Sequence, residues 1–361
     1  MIAEFYSACI DNVDAKFFER IQNLSRQLLP NLSSNSLNVD DELQVNNVSG
    51  VLSPRRLQQQ KIDVDSLKKA LTAVRYREFK DDFPFSVKKM LLETAQYCDK
   101  RQQLNQPLIQ TRLLIPIAKT ISFDLYNRSL SKCFKNPNNV PLFARPYCHG
   151  TKALYTRHSL NTMMDCKHLL GRNDIDVIHG DKTGQLMNVA KFIVSQPGAN
   201  MQPAFQQMKN ESDPSKLFNF QRLIQLFKMR DFLKTQELKE SLSKVGCQVH
   251  SCTNEVLVNS LNNVGTWAVR AAVAHLESQM LEENLRSASQ TNNSDIVCQL
   301  ILLDSLVKIQ DDMGWIITNH LISEDQALDL PFIIGDACTI LAPNLMNLVE
   351  AFDIPKIISK N

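Results

Sequence analysis

The chain has 361 residues, with forty Lys and Arg against thirty-eight Asp and Glu, and a formal charge of +2. An apolar fraction of 43% excludes wholesale disorder, and the near-neutral charge argues against nucleic acid as the main partner, because phosphate binding needs an excess of cations. Ten glycines are few for this length, which disfavours doubly wound nucleotide folds and β-sandwiches, since both use glycine in tight turns. A mostly helical protein is therefore expected.

The first part of the chain divides into an amphipathic helix and a polar linker. Residues 1–29 place apolar side chains three and four positions apart, which predicts one buried stripe on a helix that Pro30 ends. The stripe consists of Ile10, Val13, Phe17, Ile21, Leu24 and Leu28. Residues 31–62 are rich in Ser, Asn and Gln and show no period, so they are predicted to form a linker or loop.

The middle of the chain is predicted to be helical. The helices expected there are 64–79, two long helices within 84–135, 151–170 and 182–196. Pro107 suits the first turn of the second long helix, and Pro116 within that helix predicts a kink. Three prolines between 136 and 150 predict a loop.

The last part of the chain follows a polar gap at 197–214. Helices are expected from about residue 216, and then over 250–286, 294–320 and 324–350. The buried stripe of 250–286 consists of Leu257, Leu261, Val264, Ala268, Ala271 and His275. Ser323 with Gln326 predicts a capping box. No alternating run of five or more residues predicts a strand. The predicted fold is therefore all-α, with two stacked helical bundles over 63–200 and 201–361, preceded by the helix and linker of 1–62.

Metal and nucleophilic chemistry have little support in the sequence. Cys247, His250 and Cys252 lie close together but lack a fourth ligand at the spacing of structural zinc sites, so no metal site is predicted. No Ser/His/Asp set, G-x-G-x-x-G motif or P-loop is found. Nine scattered cysteines without a C-x-x-C pair indicate reduced thiols. No run of about eighteen apolar residues occurs, so no membrane span is expected.

Two segments carry more information. Arg101 lies at the junction of the two long helices, where a lone Arg is usually a solvated or helix-capping charge. His179 lies in a Gly-Asp turn before an amphipathic helix, and an isolated His at such a place is more often structural than catalytic.

Three patterns occur in a fixed order between residues 88 and 361. The first is Arg101, Leu104, Asn105 and Pro107; the second is His179-Gly180-Asp181-Lys182-Thr183 before Leu186, Val189, Ala190 and Lys191; the third is Pro343-Asn344, Leu348-Val349, Ala351-Phe352-Asp353 and Pro355. In this order they resemble the acyl-CoA oxidases, flavoproteins of the acyl-CoA dehydrogenase fold, with Leu104 and Asn105 standing where that family has Phe and Gly. The similarity favours the C-terminal helical half of that family, with the central β-domain absent.

The resemblance implies FAD as the cofactor and acyl-CoA as the substrate, oxidised to trans-2-enoyl-CoA with formation of hydrogen peroxide. The family's Glu removes the α-proton of the acyl-CoA while the β-hydride moves to the flavin, and His179 stands in that position here. The residues that the resemblance assigns to the flavin are Arg101, Gly180, Asp181 and Thr183. In place of the family's glycine-rich flavin turn the chain has Gly171-Arg172-Asn173-Asp174.

Three hypotheses follow. The first is a binding module that has lost catalysis and associates as a homodimer or with a longer oxidase subunit, because exposed apolar surface costs about 25 cal/mol per Å². The second is an active FAD-dependent oxidase with His179 as the base, and the third is an incomplete gene product. The family implies a peroxisomal setting, and Ser359-Lys360-Asn361 is similar to the peroxisomal Ser-Lys-Leu address except at its last residue; the alternative location is the cytoplasm.

Overall fold

The computed structural model describes residues 63–71, 83–135, 139–171, 185–196, 219–249 and 251–354. Within these ranges the secondary structure is helical and no strand is present, which confirms the predicted all-α fold. The predicted helix at 1–29 and the linker that follows it lie outside the described residues.

Twelve α-helices occur in the described ranges. They are α1 (Val64–Leu71), α2 (Phe83–Lys100), α3 (Pro107–Lys132), α4 (Ala144–Leu170), α5 (Leu186–Val194), α6 (Phe220–Lys244), α7 (Asn254–Asn263), α8 (Gly265–Ala288), α9 (Ser294–Asp311), α10 (Met313–Thr318), α11 (Glu324–Leu341) and α12 (Leu345–Glu350). A short 3-10 helix, Ala342–Asn344, joins the last two.

Local sequence explains several helix ends. Pro107 occupies the first position of α3, where its missing N–H leaves no hydrogen bond unmade. The Asn219 side chain accepts hydrogen bonds from the backbone N–H groups of the first turn of α6. Ser323 and Gln326 form the predicted capping box at the start of α11, with both reciprocal hydrogen bonds present.

The predicted loop over 136–150 is wrong in its second half, because α4 already begins at Ala144. Pro146 lies in the first turn of this helix, where a residue without an N–H is tolerated. The helix predicted at 151–170 therefore begins earlier, at Ala144, and is about two turns longer at its N-terminal end than the sequence indicated. It ends at Leu170, and Gly171 adopts a left-handed conformation with φ of 65° as its C-cap.

Three long helices predicted near the C-terminus are each divided in two. The helix expected at 250–286 is interrupted at Val264, whose φ and ψ of −106° and 31° leave the helical range. The helix expected at 294–320 is interrupted at Asp312, and the helix expected at 324–350 is interrupted by the 3-10 turn that contains Pro343. The buried stripe is nevertheless confirmed at its five apolar positions, from Leu257 to Ala271.

The buried apolar side chains form two clusters that share four long helices. The first cluster joins α1, α2, α9, α10, α11 and α12 with parts of α3, α6 and α8 and with Cys166 near the end of α4. The second joins α4, α5 and α7 with the C-terminal parts of α3 and α6 and most of α8. Each cluster draws on residues from both sides of position 200. The domain boundaries at 62 and 200 stay a prediction.

One segment of the described residues is long and apolar enough to cross a membrane, Glu324–Glu350. Half of its most apolar window is buried inside the protein, and the core helix of a soluble protein passes the same test of length and composition. The segment is therefore weak support for a membrane span.

Candidate functional site

Arg101 lies just after the last residue of α2, on the turn that leads to α3. Its backbone N–H donates to the Tyr97 carbonyl at 3.3 Å, and its guanidinium stacks over the Tyr97 ring with 4.6 Å to the ring centroid. The residue is exposed. Stacking orients a guanidinium while leaving its N–H donors free for solvent or for an anionic ligand. The assignment of Arg101 to the flavin stays a prediction.

The other predicted site residues, His179, Gly180, Asp181 and Thr183, lie outside the described residues. The structure does describe the chain directly before and after this segment. It leaves α4 at Gly171 and resumes at Gln185, directly before α5. The Phe192 ring of α5 packs at 5.6 Å, edge to face, against Tyr147 in the first turn of α4. Because α5 ends beside the start of α4, it runs back along that helix.

Arg101 and Gly171 lie at the same end of the bundle. Lys88 near the start of α2 pairs with Asp124 at 2.6 Å, and the Phe123 ring packs edge to face against Tyr155 in the middle of α4. Further along α2, Thr94 hydrogen-bonds Cys166, near the end of α4. The two helices therefore run in the same direction, and the turn with Arg101 lies close to the point where the chain leaves α4.

A hydrogen-bonded relay of three side chains joins α4, α6 and α8, and sequence reasoning did not find it. Nδ1 of His275 lies 2.9 Å from an Asp231 oxygen, and its Nε2 lies 2.6 Å from the Tyr147 hydroxyl. Asp231 favours the tautomer with the proton on Nδ1, so Nε2 accepts from Tyr147. Burial raises the pKa of Tyr147, and Asp231 raises it further, which keeps the hydroxyl protonated as the donor. The three side chains thus connect three helices through two hydrogen bonds.

A second polar group surrounds the break between α9 and α10. Arg230 donates to Glu277 and to Asp312, each at 2.6 Å, and Lys234 also pairs with Asp312. The Lys234 ammonium lies 4.6 Å from the centroid of the Trp315 ring. Burial acts to raise the pKa of Asp312, but Arg230 and Lys234 lower it by more, so the carboxylate is charged. Since its charges are paired with one another, we interpret this group as a structural connection of α6, α8 and the α9–α10 break.

His158 lies in the interior between α3 and α4. Its Nε2 is 2.9 Å from the Thr120 hydroxyl, and its ring stacks on Phe123 with the centroids 5.6 Å apart. Burial, assisted by Lys119, lowers the pKa of His158 to about 3. The imidazole is therefore neutral at physiological pH and fills the core rather than exchanging protons with solvent.

Metal ligands are not brought together in the described part of the chain. No group of three or more His, Cys, Asp or Glu side chains there could hold an ion. Cys247 and Cys252 do approach one another, with 3.5 Å between their sulfurs, while His250 lies outside the described residues.

The model of the acyl-CoA oxidase family matches residues 219–358 of this chain, which include α6 to α12. The resemblance to acyl-CoA oxidases is confirmed. The fold is similar to that of half of acyl-CoA oxidase1 from Yarrowia lipolytica, with a TM-score of 0.64 at 11% identity over 81% of this chain and 50% of that one. Acyl-CoA oxidase-1 from Caenorhabditis elegans, solved with FAD and ATP, gives a TM-score of 0.61 at 14% identity over 80% of this chain and 50% of that one.

A third solved relative is the tomato acyl-CoA oxidase, with a TM-score of 0.60 at 15% identity over 82% of this chain and 51% of that one. The chain thus spans about half the length of the oxidases whose fold it shares, and the shared part is the C-terminal helical half. No curated protein sequence matches the chain.

Proposed function

We propose that this acyl-CoA oxidase-like chain is a helical association module without oxidase activity of its own, which pairs with a second copy or with a longer oxidase subunit. The observation that carries the proposal is His179, which the family resemblance assigns to the position of the catalytic Glu. The chain is similar in fold to only about half of a complete oxidase. A carboxylate suits α-proton removal because burial can raise its pKa into the working range. Burial lowers the pKa of an imidazole instead. The apolar side chains exposed on the helices, among them Leu328 and Trp267, support an association role.

An active FAD-dependent oxidase is the second candidate. It is supported by Gly180, Asp181 and Thr183, which keep the register of the family pattern, and by the exposed, stacked Arg101. FAD, when bound, supplies the acceptor for the β-hydride of the acyl-CoA. His179 would accept the α-proton through a neutral ring nitrogen, and Arg101 would bind the cofactor phosphate. The C. elegans oxidase-2 structure contains FAD and ascaroside-CoA, which makes a CoA thioester the substrate class to test.

Flavin binding separates the two candidates. The purified protein is incubated with excess FAD, desalted and measured by absorbance in the flavin bands, and then supplied with acyl-CoA while hydrogen peroxide is followed. We expect a colourless protein that forms no peroxide. A yellow protein that forms peroxide, and loses this activity in His179→Ala, would establish the oxidase instead.

Two variants sharpen this test. His179→Glu restores the family's residue at the base position, and under the association proposal it stays inactive because the flavin is not held. Arg101→Ala is compared with Arg112→Ala, a control that removes a different exposed Arg, which lies on α3. A selective loss of FAD affinity in Arg101→Ala would support the second candidate. A peroxisomal setting in fatty-acid β-oxidation is proposed from the family alone.

A further inference from the structure

The connection between α6 and α7 holds two cysteine sulfurs next to each other. Sγ of Cys247 and Sγ of Cys252 are 3.5 Å apart, and both residues are free thiols. Cys247 is buried against the second core cluster, while Cys252 is partly exposed. The gap to a disulfide bond length of about 2 Å is therefore small.

The backbone on the Cys247 side is fixed by the way α6 ends. Gly246 takes a positive φ of 77°, and its N–H donates to the Ser243 carbonyl at 3.0 Å. The N–H of Cys247 reaches back to the Leu242 carbonyl, also at 3.0 Å. This is the hydrogen-bond pattern of a Schellman motif, in which the residue after the left-handed position packs onto the helix.

The backbone on the Cys252 side is fixed by a turn and a cap. The N–H of Cys252 donates to the Gln248 carbonyl at 3.0 Å, and the thiol lies 3.7 Å from the Val249 carbonyl. The next residue, Thr253, caps α7 by accepting from the Val256 N–H at 3.4 Å. Backbone hydrogen bonds around each cysteine thus hold the two thiols close to one another.

We propose that Cys247 and Cys252 are a redox-active dithiol that forms a reversible intrachain disulfide by exchange with a small-molecule disulfide such as oxidised glutathione. The thiolate of the more exposed Cys252 attacks one sulfur of glutathione disulfide and expels one glutathione thiolate. The Cys247 thiolate then attacks Sγ of Cys252 in the mixed disulfide and expels the second. The two protein thiols lose two electrons and two protons, and one glutathione disulfide becomes two glutathione thiols.

The exchange is expected to be slow at neutral pH. Burial raises the pKa of the Cys252 thiol, and its neighbour Cys247 raises it further, so little attacking thiolate is present. The small thiolate fraction lowers the rate of exchange. The equilibrium between dithiol and disulfide depends on the geometry of the pair. The assignment is independent of flavin binding and of the oligomeric state.

The test uses the full-length protein equilibrated with mixtures of reduced and oxidised glutathione, then alkylated and digested with trypsin. Cys247 and Cys252 fall in one tryptic peptide, residues 245–270, which contains no other cysteine. We expect this peptide to lose two hydrogens instead of gaining two alkyl groups as the mixture becomes oxidising. The ratio of oxidised to reduced peptide should rise in proportion to the oxidised glutathione concentration divided by the square of the reduced glutathione concentration, because two glutathione thiols leave per disulfide.

Controls decide whether the native fold makes the pair. Cys252→Ser should abolish the two-hydrogen loss, while Cys133→Ser, which removes the other partly exposed cysteine of the described chain, should leave it unchanged. The equilibrium constant for the native protein should exceed that of the chain in urea by about tenfold or more, since folding fixes both sulfurs. Full alkylation of both thiols in every mixture, a linear dependence on glutathione, or equal constants in the native protein and in urea would each overturn the assignment.

Discussion

At the scale of single residues, the buried imidazole of His158 is expected to make stability depend on pH. In the folded chain the pKa is lowered from 6.5 to about 3. As the pH falls from 6.5 toward 3, the unfolded chain therefore binds a proton that the folded chain does not. The free energy of unfolding falls over this window by up to ~1.4 kcal/mol per pH unit from this group.

His158→Gln tests this prediction. The amide can keep a hydrogen bond with Thr120 but cannot titrate, so we expect the decline of unfolding free energy toward acid pH to become shallower by up to one proton equivalent. Urea unfolding at several pH values measures the slope. His320→Gln makes the same substitution at an exposed imidazole and serves as the control. Equal slopes in wild type and His158→Gln would show that the folded chain protonates His158 freely.

Residue-scale features were predictable from the sequence where their cause is local. The capping box of Ser323 and Gln326 spans three positions, and the signal for it is complete within them. The relay of Tyr147, His275 and Asp231 spans 128 and 44 positions along the chain, and no spacing rule connects its members. His275 could be placed on the inner side of a helix, but its partners depend on how three helices pack.

At the scale of helices, Gly150 sets the distance between α4, α5 and α8. A β-carbon at this position would lie 2.5 Å from Cδ1 of Leu276 and 2.6 Å from Cγ2 of Val189. Both neighbours are buried, so neither helix can move away without opening the core. Gly150→Ala should therefore lower the free energy of unfolding by about 1–3 kcal/mol, although alanine favours helix formation.

Gly335→Ala is the control with the opposite sign. Gly335 lies within α11, and a β-carbon there would meet no heavy atom within 4 Å. The substitution should raise the free energy of unfolding by about 0.5–1 kcal/mol, because alanine loses less backbone entropy in a helix. Denaturant unfolding of both variants gives the comparison. A stabilised Gly150→Ala would contradict the close helix packing at this position.

The helices themselves followed from apolar periodicity, but their ends and breaks did not. The break at Val264 lies between two segments that continue the same stripe, and Met187 of α5 packs at the adjacent Gly265. The break at Asp312 is accompanied by ion pairs to α6. Both breaks depend on side chains from other helices. The start of α4 was missed for a different reason, since prolines are tolerated in a first turn as well as in a loop.

At the scale of the whole molecule, two apolar clusters share α3, α4, α6 and α8, so the two halves of the helical region are expected to unfold together. The surface retains large apolar side chains on several helices and in the turn before α4. Leu142 is 90% exposed and Leu328 is 68% exposed, and Trp267 in the first turn of α8 is 44% exposed. Side chains of this size on a surface favour burial against a partner.

We therefore expect the purified protein to self-associate at micromolar concentration, with about 800 Å² buried on each partner if the dimer is stable. Leu328→Asp places a charge on the exposed side of α11, and should weaken association by about tenfold or more while leaving the unfolding midpoint almost unchanged. Thr339→Asp adds the same charge about three turns further along the same exposed face of α11, and shows how far the contact surface extends along the helix. Sedimentation velocity across a concentration series measures the dissociation constants. A species of 41.0 kDa at every concentration would contradict the homodimer and leave a longer oxidase subunit as the partner to test.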